Sequence, residues 1–356
     1  MGCFSQNDKG INMKLRPLGN TGIKVPPIVF GTSALGNLFT ALDPKVKEAL
    51  VKESIHYTQP QTFFDSAGKY GAGLALESLG NALNALNVPK DEVVVSNKLG
   101  WVRSPLVGKE PQFEKGVWRD LKHDAVQKIS YDGILECFEE GNELLQGYST
   151  QLASVHDPDE YLAKAANPAE EEALFEDVLE AYRALEDLKR KGLVKGIGVG
   201  AKDWKIIPRI YEHIKLDWVM FANSMTIISH PKELLAFMQQ LSDDGVGILN
   251  SAVFQSGFLV GGEYYDYQLI KPDTPENKAR FEWRSTFFAV CKAFGVTPAH
   301  ACVQFGLAAP GVASVALSTS EPEKVKRNVA ATEERLPAEF WAEMHERGLL
   351  HAHSPL

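Results

Sequence analysis

Short apolar runs recur along the chain, separated by longer stretches in which apolar residues fall three and four apart. The runs are Val29-Phe30-Gly31, Thr62-Phe63-Phe64, Val93-Val94-Val95, Leu152-Ala153-Ser154-Val155, Gly196-Ile197-Gly198-Val199, Trp218-Val219-Met220-Phe221, Val246-Gly247-Ile248-Leu249 and Ser314-Val315-Ala316-Leu317. They predict eight strands. A half-solvated strand alternates apolar and polar residues, whereas a strand covered on both faces is apolar nearly throughout, so these runs suit a parallel sheet.

Between the runs, the spacing predicts helices. One spans Glu170 to Lys191, with Leu174, Val178, Leu179, Tyr182, Leu185 and Leu188 on one face and Gly192 as its stop. Pro231 opens another that runs to Asp243. Ser320, with Glu323 three positions on, reads as the capped start of a third. Eight strands alternating with helices point to an α/β fold, a (β/α)₈ TIM barrel, with a doubly wound open sheet as the alternative. Two short extended runs flank Asn20-Thr21-Gly22 and predict a hairpin ahead of the first strand. Residues 99–132 have no clear period, hold Trp101 and Trp118, and read as a long functional loop after a strand end. The expected organisation is an extension over 1–13, with Met13 as an alternative start, one barrel domain over 14–345, and a polar tail over 346–356.

The 356 residues are 44% hydrophobic, enough for one large core. A net charge of −9 argues against binding nucleic acid or a membrane surface. No apolar run is long enough to span a bilayer. Cys3, Cys137, Cys291 and Cys302 form no CxxC pair, which suits a reducing cytoplasm. Gln6 stands where a myristoylation signal needs Ser or Thr, and the start lacks a secretory apolar stretch. Gly196-x-Gly198-x-Gly200 lacks the spacing of a Rossmann loop. No nucleophile elbow or phosphate-cradling loop is found. His351-Ala352-His353 lies without a ligand cluster, so no metal is expected.

Three segments carry candidate chemistry. Asp65 and Tyr70 follow the second run, Lys98 closes the third, and His156 closes the fourth. Each alone has a bland reading: a helix cap with a half-buried aromatic, a solvated lysine, a turn histidine. Neighbouring strands bring their ends to one rim, and there the four make chemical sense. A free phenol, with a pKa of about 10, is a poor proton donor or base near neutrality. An ammonium beside it favours the phenolate, a carboxylate fixes the ammonium, and an imidazole can orient the reacting oxygen.

Together these segments resemble the aldo-keto reductase superfamily, from about Lys14 to Leu336. Phe64-Asp65 to Tyr70-Gly71, then Lys98, then His156-Asp157-Pro158-Asp159 match its catalytic tetrad in order. The resemblance implies a hairpin plug at Leu15–Gly22 closing the barrel's bottom. It implies Tyr70 as general acid or base, tuned by Lys98, with Asp65 pairing the lysine and His156 orienting substrate. It further implies a nicotinamide cofactor lying across the barrel mouth. Ser130 to Ile134, Gly198 to Trp204 and Val253 to Gly257 are most similar to the aldose-1-dehydrogenase branch. That branch includes L-galactose, L-fucose and D-threo-aldose dehydrogenases and a pyridoxal 4-dehydrogenase. The implied reaction oxidises the anomeric hydroxyl of a free aldose to a lactone. The alternatives are an NADPH-dependent aldehyde or ketone reductase, a pyridoxal 4-dehydrogenase-like enzyme, and a non-enzymatic, cofactor-sensing regulatory subunit.

The cofactor residues implied are Gly31, Asn223, Ser251, Phe254, Ser318, Ser320, Lys324 and Asn328. Many members hold the carboxamide with Ser-Asn after strand five, where this chain has Gly200-Ala201 and then Lys202. Ser251 stands where many place an aromatic, and Asn223 is the substitute carboxamide ligand. Ser318, Ser320, Glu321 and Glu323 favour NAD over NADP, while Lys324 keeps 2′-phosphate binding open. Trp101, Trp118 and the 99–132 loop are the expected substrate wall on one side, with Phe254 and Phe258 as candidates elsewhere. The expected partner is a small sugar or aldehyde, and the expected state a monomer or small homo-oligomer.

Overall fold

The computed structural model describes residues 13–356. Cys3 and nearly all of the expected 1–13 extension lie outside the described residues. Met13 is part of the body: it is buried, and its N–H donates to Gln59 O at 2.9 Å.

Eight parallel strands close into a barrel in chain order. They are β1 Ile28–Gly31, β2 Thr62–Ala67, β3 Val93–Leu99, β4 Leu152–His156, β5 Gly196–Ala201, β6 Trp218–Ala222, β7 Gly247–Ser251 and β8 Val312–Leu317. β8 pairs with β1, so the sheet has no edge and the doubly wound alternative is excluded. Every apolar run of the sequence lies on one of these strands.

The strands are buried on both faces because helices cover the outside while side chains fill the inside. The helices are α1 Pro44–Tyr57, α2 Leu74–Ala85, α3 Tyr131–Leu144, α4 Pro158–Leu162, α5 Pro168–Arg190, α6 Ile206–Tyr211, α7 Lys232–Asp243, α8 Pro275–Ala293, α9 Pro298–Ala308, α10 Glu323–Glu333 and α11 Ala338–Glu346. Local chemistry sets several starts. Asp43 caps α1 by accepting from Lys45 N, and Asn167 caps α5 by accepting from Glu170 N. Each such cap is worth about 1 kcal/mol. The expected cap at Ser320 does not form. Pro322 immediately precedes α10, and Thr319 instead folds the loop by accepting from Glu321 N at 3.1 Å.

Inside the barrel, Val29, Phe63, Val94, Leu152, Trp218, Met220 and Leu249 pack together with Leu18, Ile23 and Val25 of the hairpin. The hairpin, Arg16–Pro17 with Lys24–Val25, therefore plugs the end from which the strands start. Its turn must lie against the β7 entrance. Gly19 has φ +49°, and a Cβ there would sit 2.3 Å from Gly247 N. Only glycine fits both constraints.

Two expectations need correction. Residues 99–132 are not structureless, because Trp101–Pro105 pairs antiparallel with His123–Gln127 in a hairpin over the opposite end. The last residues are not a loose polar tail, since Leu349 and Leu350 are buried. His351 N donates to Nε2 of buried His230 at 3.3 Å, and the His353 ring bonds His230 O at 3.0 Å. Among the described residues, no single helix is long and apolar enough to cross a membrane.

Candidate active site

The strand register assembles the first corner of the site. Asp65 pairs with Ser96 across β2 and β3, and Lys98 lies two residues further on, on the same face as Ser96. Lys98 pairs with Ser154, and β4 then continues to His156, which lies opposite Gly200. Tyr70 follows the end of β2. Asp65, Lys98 and His156 are buried charged or polar groups at three successive strand ends.

Their partners form a closed chain. Ser96 Oγ donates to Asp65 Oδ1 at 2.7 Å, and Lys98 Nζ pairs with Asp65 Oδ2. Lys98 Nζ also donates to Tyr70 Oη at 3.1 Å. The His156 ring meets the Tyr70 ring edge-on, with centroids 5.6 Å apart. Trp118 lies against the other side of Tyr70 at 5.9 Å.

The electrostatics follow from that packing. Burial pushes the Tyr70 phenol above its usual range, and the Lys98 ammonium opposes the shift. Burial disfavours the Lys98 charge, but Asp65 and Tyr70 more than offset this and hold it above the usual lysine range. Burial, with the ammoniums of Lys69, Lys98 and Lys202, drives His156 well below the usual imidazole range. The imidazole is therefore neutral at pH 7. Its Nδ1 is buried without a hydrogen-bond partner.

A second ring of charges surrounds this corner, and the sequence reading did not single it out. Asp157 follows His156 with φ +46°, and its Oδ2 lies 3.6 Å from both His156 Nε2 and Lys202 Nζ. Burial raises the Asp157 carboxyl to about 6, against the pull of Lys202. Glu160 pairs with Lys202 through Oε1 and with Lys69 through Oε2 at 3.0 Å. Lys69 also reaches Glu114 at 2.9 Å and stands over the Trp101 ring at 5.4 Å. Lys202 stands over the Tyr267 ring at 4.9 Å. The available signal was positional: Lys69 and Asp157 adjoin Tyr70 and His156, and Lys202 follows a strand end.

The expected cofactor residues divide among three places. Phe254, Ser318, Ser320, Lys324 and Asn328 line one open cleft beside β8 and α10, with Ser33, Phe39, Glu321 and Arg327. Ser33 and Ser318 hydrogen-bond at 3.1 Å across it. Lys324 is paired with Glu321. Gly31 lies deeper, in a small adjoining pocket with Thr319, and a Cβ there would meet Ser318 only at ordinary contact distance, 3.5 Å. Asn223 and Ser251 sit together at the ends of β6 and β7, with Asn223 N donating to Ser251 O at 3.3 Å. Ser251 Oγ is spent on Phe221 O. Asn223 gives its Nδ2 to Asp266, while its buried Oδ1 has no partner. Trp101 is half-buried beneath Lys69, and Trp118 is buried beside Tyr70. Phe258 belongs to neither wall: it is fully buried among Tyr265, Phe281 and Arg284.

The family model described as "Aldo/keto reductase family" matches residues 27–347, most of the chain. The chain belongs to the aldo/keto reductase family. As such it is an oxidoreductase, of a family that uses nicotinamide dinucleotides. Among curated relatives of this aldo-keto reductase, a pyridoxal 4-dehydrogenase of Microbacterium luteolum is 28% identical, covering 94% of this chain and 97% of the relative. A D-threo-aldose 1-dehydrogenase of a Pseudomonas species is 26% identical over 92% of this chain and 96% of its own. An L-galactose dehydrogenase of Arabidopsis thaliana is 27% identical over 90% and 89%. The fold is shared with a solved aldo-keto reductase from Bacillus halodurans in its holo form. That match has a TM-score of 0.67 and 20% identity, covering 97% of this chain and 100% of the other.

Proposed function

We propose that this enzyme oxidises the anomeric hydroxyl of a free aldose to a lactone, with Tyr70 as general base and NAD as the preferred cofactor. The observation that carries the reading is Tyr70 Oη lying 3.1 Å from an ammonium that a buried carboxylate already fixes. In that arrangement Lys98 stabilises the phenolate as Tyr70 takes the hydroxyl proton. The neutral His156 imidazole, beside the Tyr70 ring, orients the reacting oxygen by a hydrogen bond. Trp118 packs beside the Tyr70 ring.

The residues present fit a nicotinamide dinucleotide, which when bound supplies the hydride acceptor. The unpartnered, buried Oδ1 of Asn223 would accept from the carboxamide amine. Asn328, Ser318 and Ser320 would hold the adenosine end in the open cleft. The Glu321 carboxylate there disfavours a 2′-phosphate, which supports NAD over NADP.

Relatives at 26% and 27% identity named as aldose and galactose dehydrogenases support the sugar reading. The relative at 28% supports a second substrate, pyridoxal. The test is a screen of free aldoses, pyridoxal and simple aldehydes against both cofactors, followed by nicotinamide absorbance. Turnover of aldoses with NAD is expected. Turnover confined to pyridoxal would favour the second reading, and turnover confined to aldehydes with NADPH would overturn both.

A further inference from the structure

Glu160 lies on α4, just beyond the end of β4, and bridges two lysines that come from opposite sides of the mouth. Lys69 reaches it from the loop after β2, and Lys202 from the loop after β5. The pair at Lys69 is completed by Glu114, and the pair at Lys202 by Asp157. Lys98, the third lysine of the mouth, is paired with Asp65. Three ammoniums thus face four carboxylates, and each ammonium has at least one carboxylate within 3.0 Å. Lys69 and Lys202 are close enough to His156 to depress its basicity, so their charge is felt where substrate must bind.

We infer that Glu160 is a specificity-determining residue, a charge brace that commits the site to neutral, unphosphorylated polyhydroxy substrates. This inference deepens the proposed sugar reading and rests on it for the substrate class. Apart from exposed Lys164, which bonds the Gln127 amide, an anionic substrate entering this mouth meets, among the described residues, lysines already paired with carboxylates. It would have to displace Glu160 from both lysines, in a protein whose net charge of −9 already repels it. A neutral sugar has no such obstacle. Its hydroxyls can accept from ammonium protons and donate to carboxylate oxygens without breaking a pair. Removing the Glu160 charge while keeping its shape would leave Lys69 with Glu114 alone and Lys202 with the more distant Asp157 alone, so both ammoniums would have protons free for an anion.

The experiment compares the full-length wild type with Glu160→Gln in two readouts. In the first, intrinsic tryptophan fluorescence is titrated with sodium sulfate and with D-glucuronate at constant ionic strength. Trp101 lies under Lys69, so an anion held there should be visible without turnover. The wild type should give no saturable change, and Glu160→Gln should saturate with affinity at least tenfold tighter. In the second, kcat/KM is measured for a turned-over aldose and for its uronic acid. The wild type should prefer the neutral sugar at least a hundredfold, and the variant should lose at least tenfold of that preference. Equal preference for the uronic acid in the wild type would overturn the inference, and that arm needs no variant. Unchanged sulfate titration in a folded Glu160→Gln would overturn it as well. If no aldose is turned over, the sugar reading fails, while the fluorescence titration still decides the role of Glu160.

Discussion

The corner at the ends of β2, β3 and β4 and the cleft beside β8 and α10 are built on different principles. In the corner, Asp65, Lys98 and His156 are buried, Tyr70 is half-buried, and Lys98 ties Asp65 to Tyr70. In the cleft, Ser318 and Ser320 are exposed, Lys324 and Asn328 are half-buried, and the walls are partly backbone. Proton transfer demands particular side-chain types at fixed separations, so the corner tolerates few sequences. An elongated dinucleotide can be held by many combinations of hydroxyls, amides and main chain, so the cleft tolerates many. The corner should therefore fail abruptly when altered, and the cleft gradually.

The largest effect is expected from Lys98→Met. It leaves Asp65 as a buried carboxylate without its cation, which typically costs about 3–5 kcal/mol of stability. It also removes the charge that opposes the upward shift of Tyr70. Chemical denaturation should show the loss directly, and turnover should fall below detection. Normal stability in this variant would mean that Asp65 finds other compensation. Next comes Tyr70→Phe, which removes only the phenol oxygen proposed to take the proton. Turnover should drop by about 10²–10⁴, while dinucleotide affinity stays within twofold by fluorescence titration. A parallel loss of affinity would show that corner and cleft are not separable.

The pH profile sharpens the same comparison. Oxidation needs the phenolate, and burial raises the Tyr70 phenol above its usual value of about 10. kcat/KM for oxidation should therefore climb with pH through neutrality into the alkaline range, with no plateau below about pH 10. His156 is already neutral, because its imidazole is held well below the usual range, so it should add no inflection near pH 6.5. Cofactor affinity in the cleft should be flat over the same interval. An imidazole inflection in the rate would show that His156 takes the charge the geometry denies it.

The unequal legibility of the two regions has the same origin. Asp65, Tyr70, Lys98 and His156 could be picked from the sequence because each follows or closes a recognisable apolar run. Glu160 and Lys69 were not singled out and Lys202 was noted only as following Gly200-Ala201, since nothing local says that α4 turns Glu160 toward two other loops. The 99–132 hairpin was hidden because Trp101–Pro105 and His123–Gln127 are short and paired across a long intervening loop, so no period announces them. Ser320 misled as a helix cap because Pro322 starts the helix instead. The barrel itself was legible because its strands are buried on both faces, which leaves an unbroken apolar signature.

Outside the cleft, at the ends of β6 and β7, removing Asn223 should also have a graded effect. Its φ of +57° favours Asn or Gly, so Asn223→Gly takes away the side chain without straining the backbone. One hydrogen bond to the carboxamide is worth about 0.5–1.5 kcal/mol. Dinucleotide affinity should weaken by about three- to tenfold, with the fold and the Tyr70 pH limb unchanged. No change in affinity would remove Asn223 from the cofactor site.

The smallest effect concerns cofactor choice. Lys324 and Arg327 are the cations lining the cleft, and Lys324 is paired with Glu321 one helical turn before it. Both side chains are more than a third exposed, Lys324 36% and Glu321 47%, so water and salt screen the pair. Such pairs are worth about 0–1 kcal/mol. Glu321→Gln frees Lys324 and removes a repulsive carboxylate at once. NADP should then bind up to about fivefold tighter, the factor that 1 kcal/mol allows, while NAD stays within twofold. The gain should shrink as salt is added, because exposed charges are screened over about 10 Å at 0.1 M. A gain in both cofactors would instead point to a general opening of the cleft. A gain in neither would mean that Lys324 does not reach the 2′ position, and that cofactor preference is set by Arg327 or by the hydroxyls of Ser318 and Ser320.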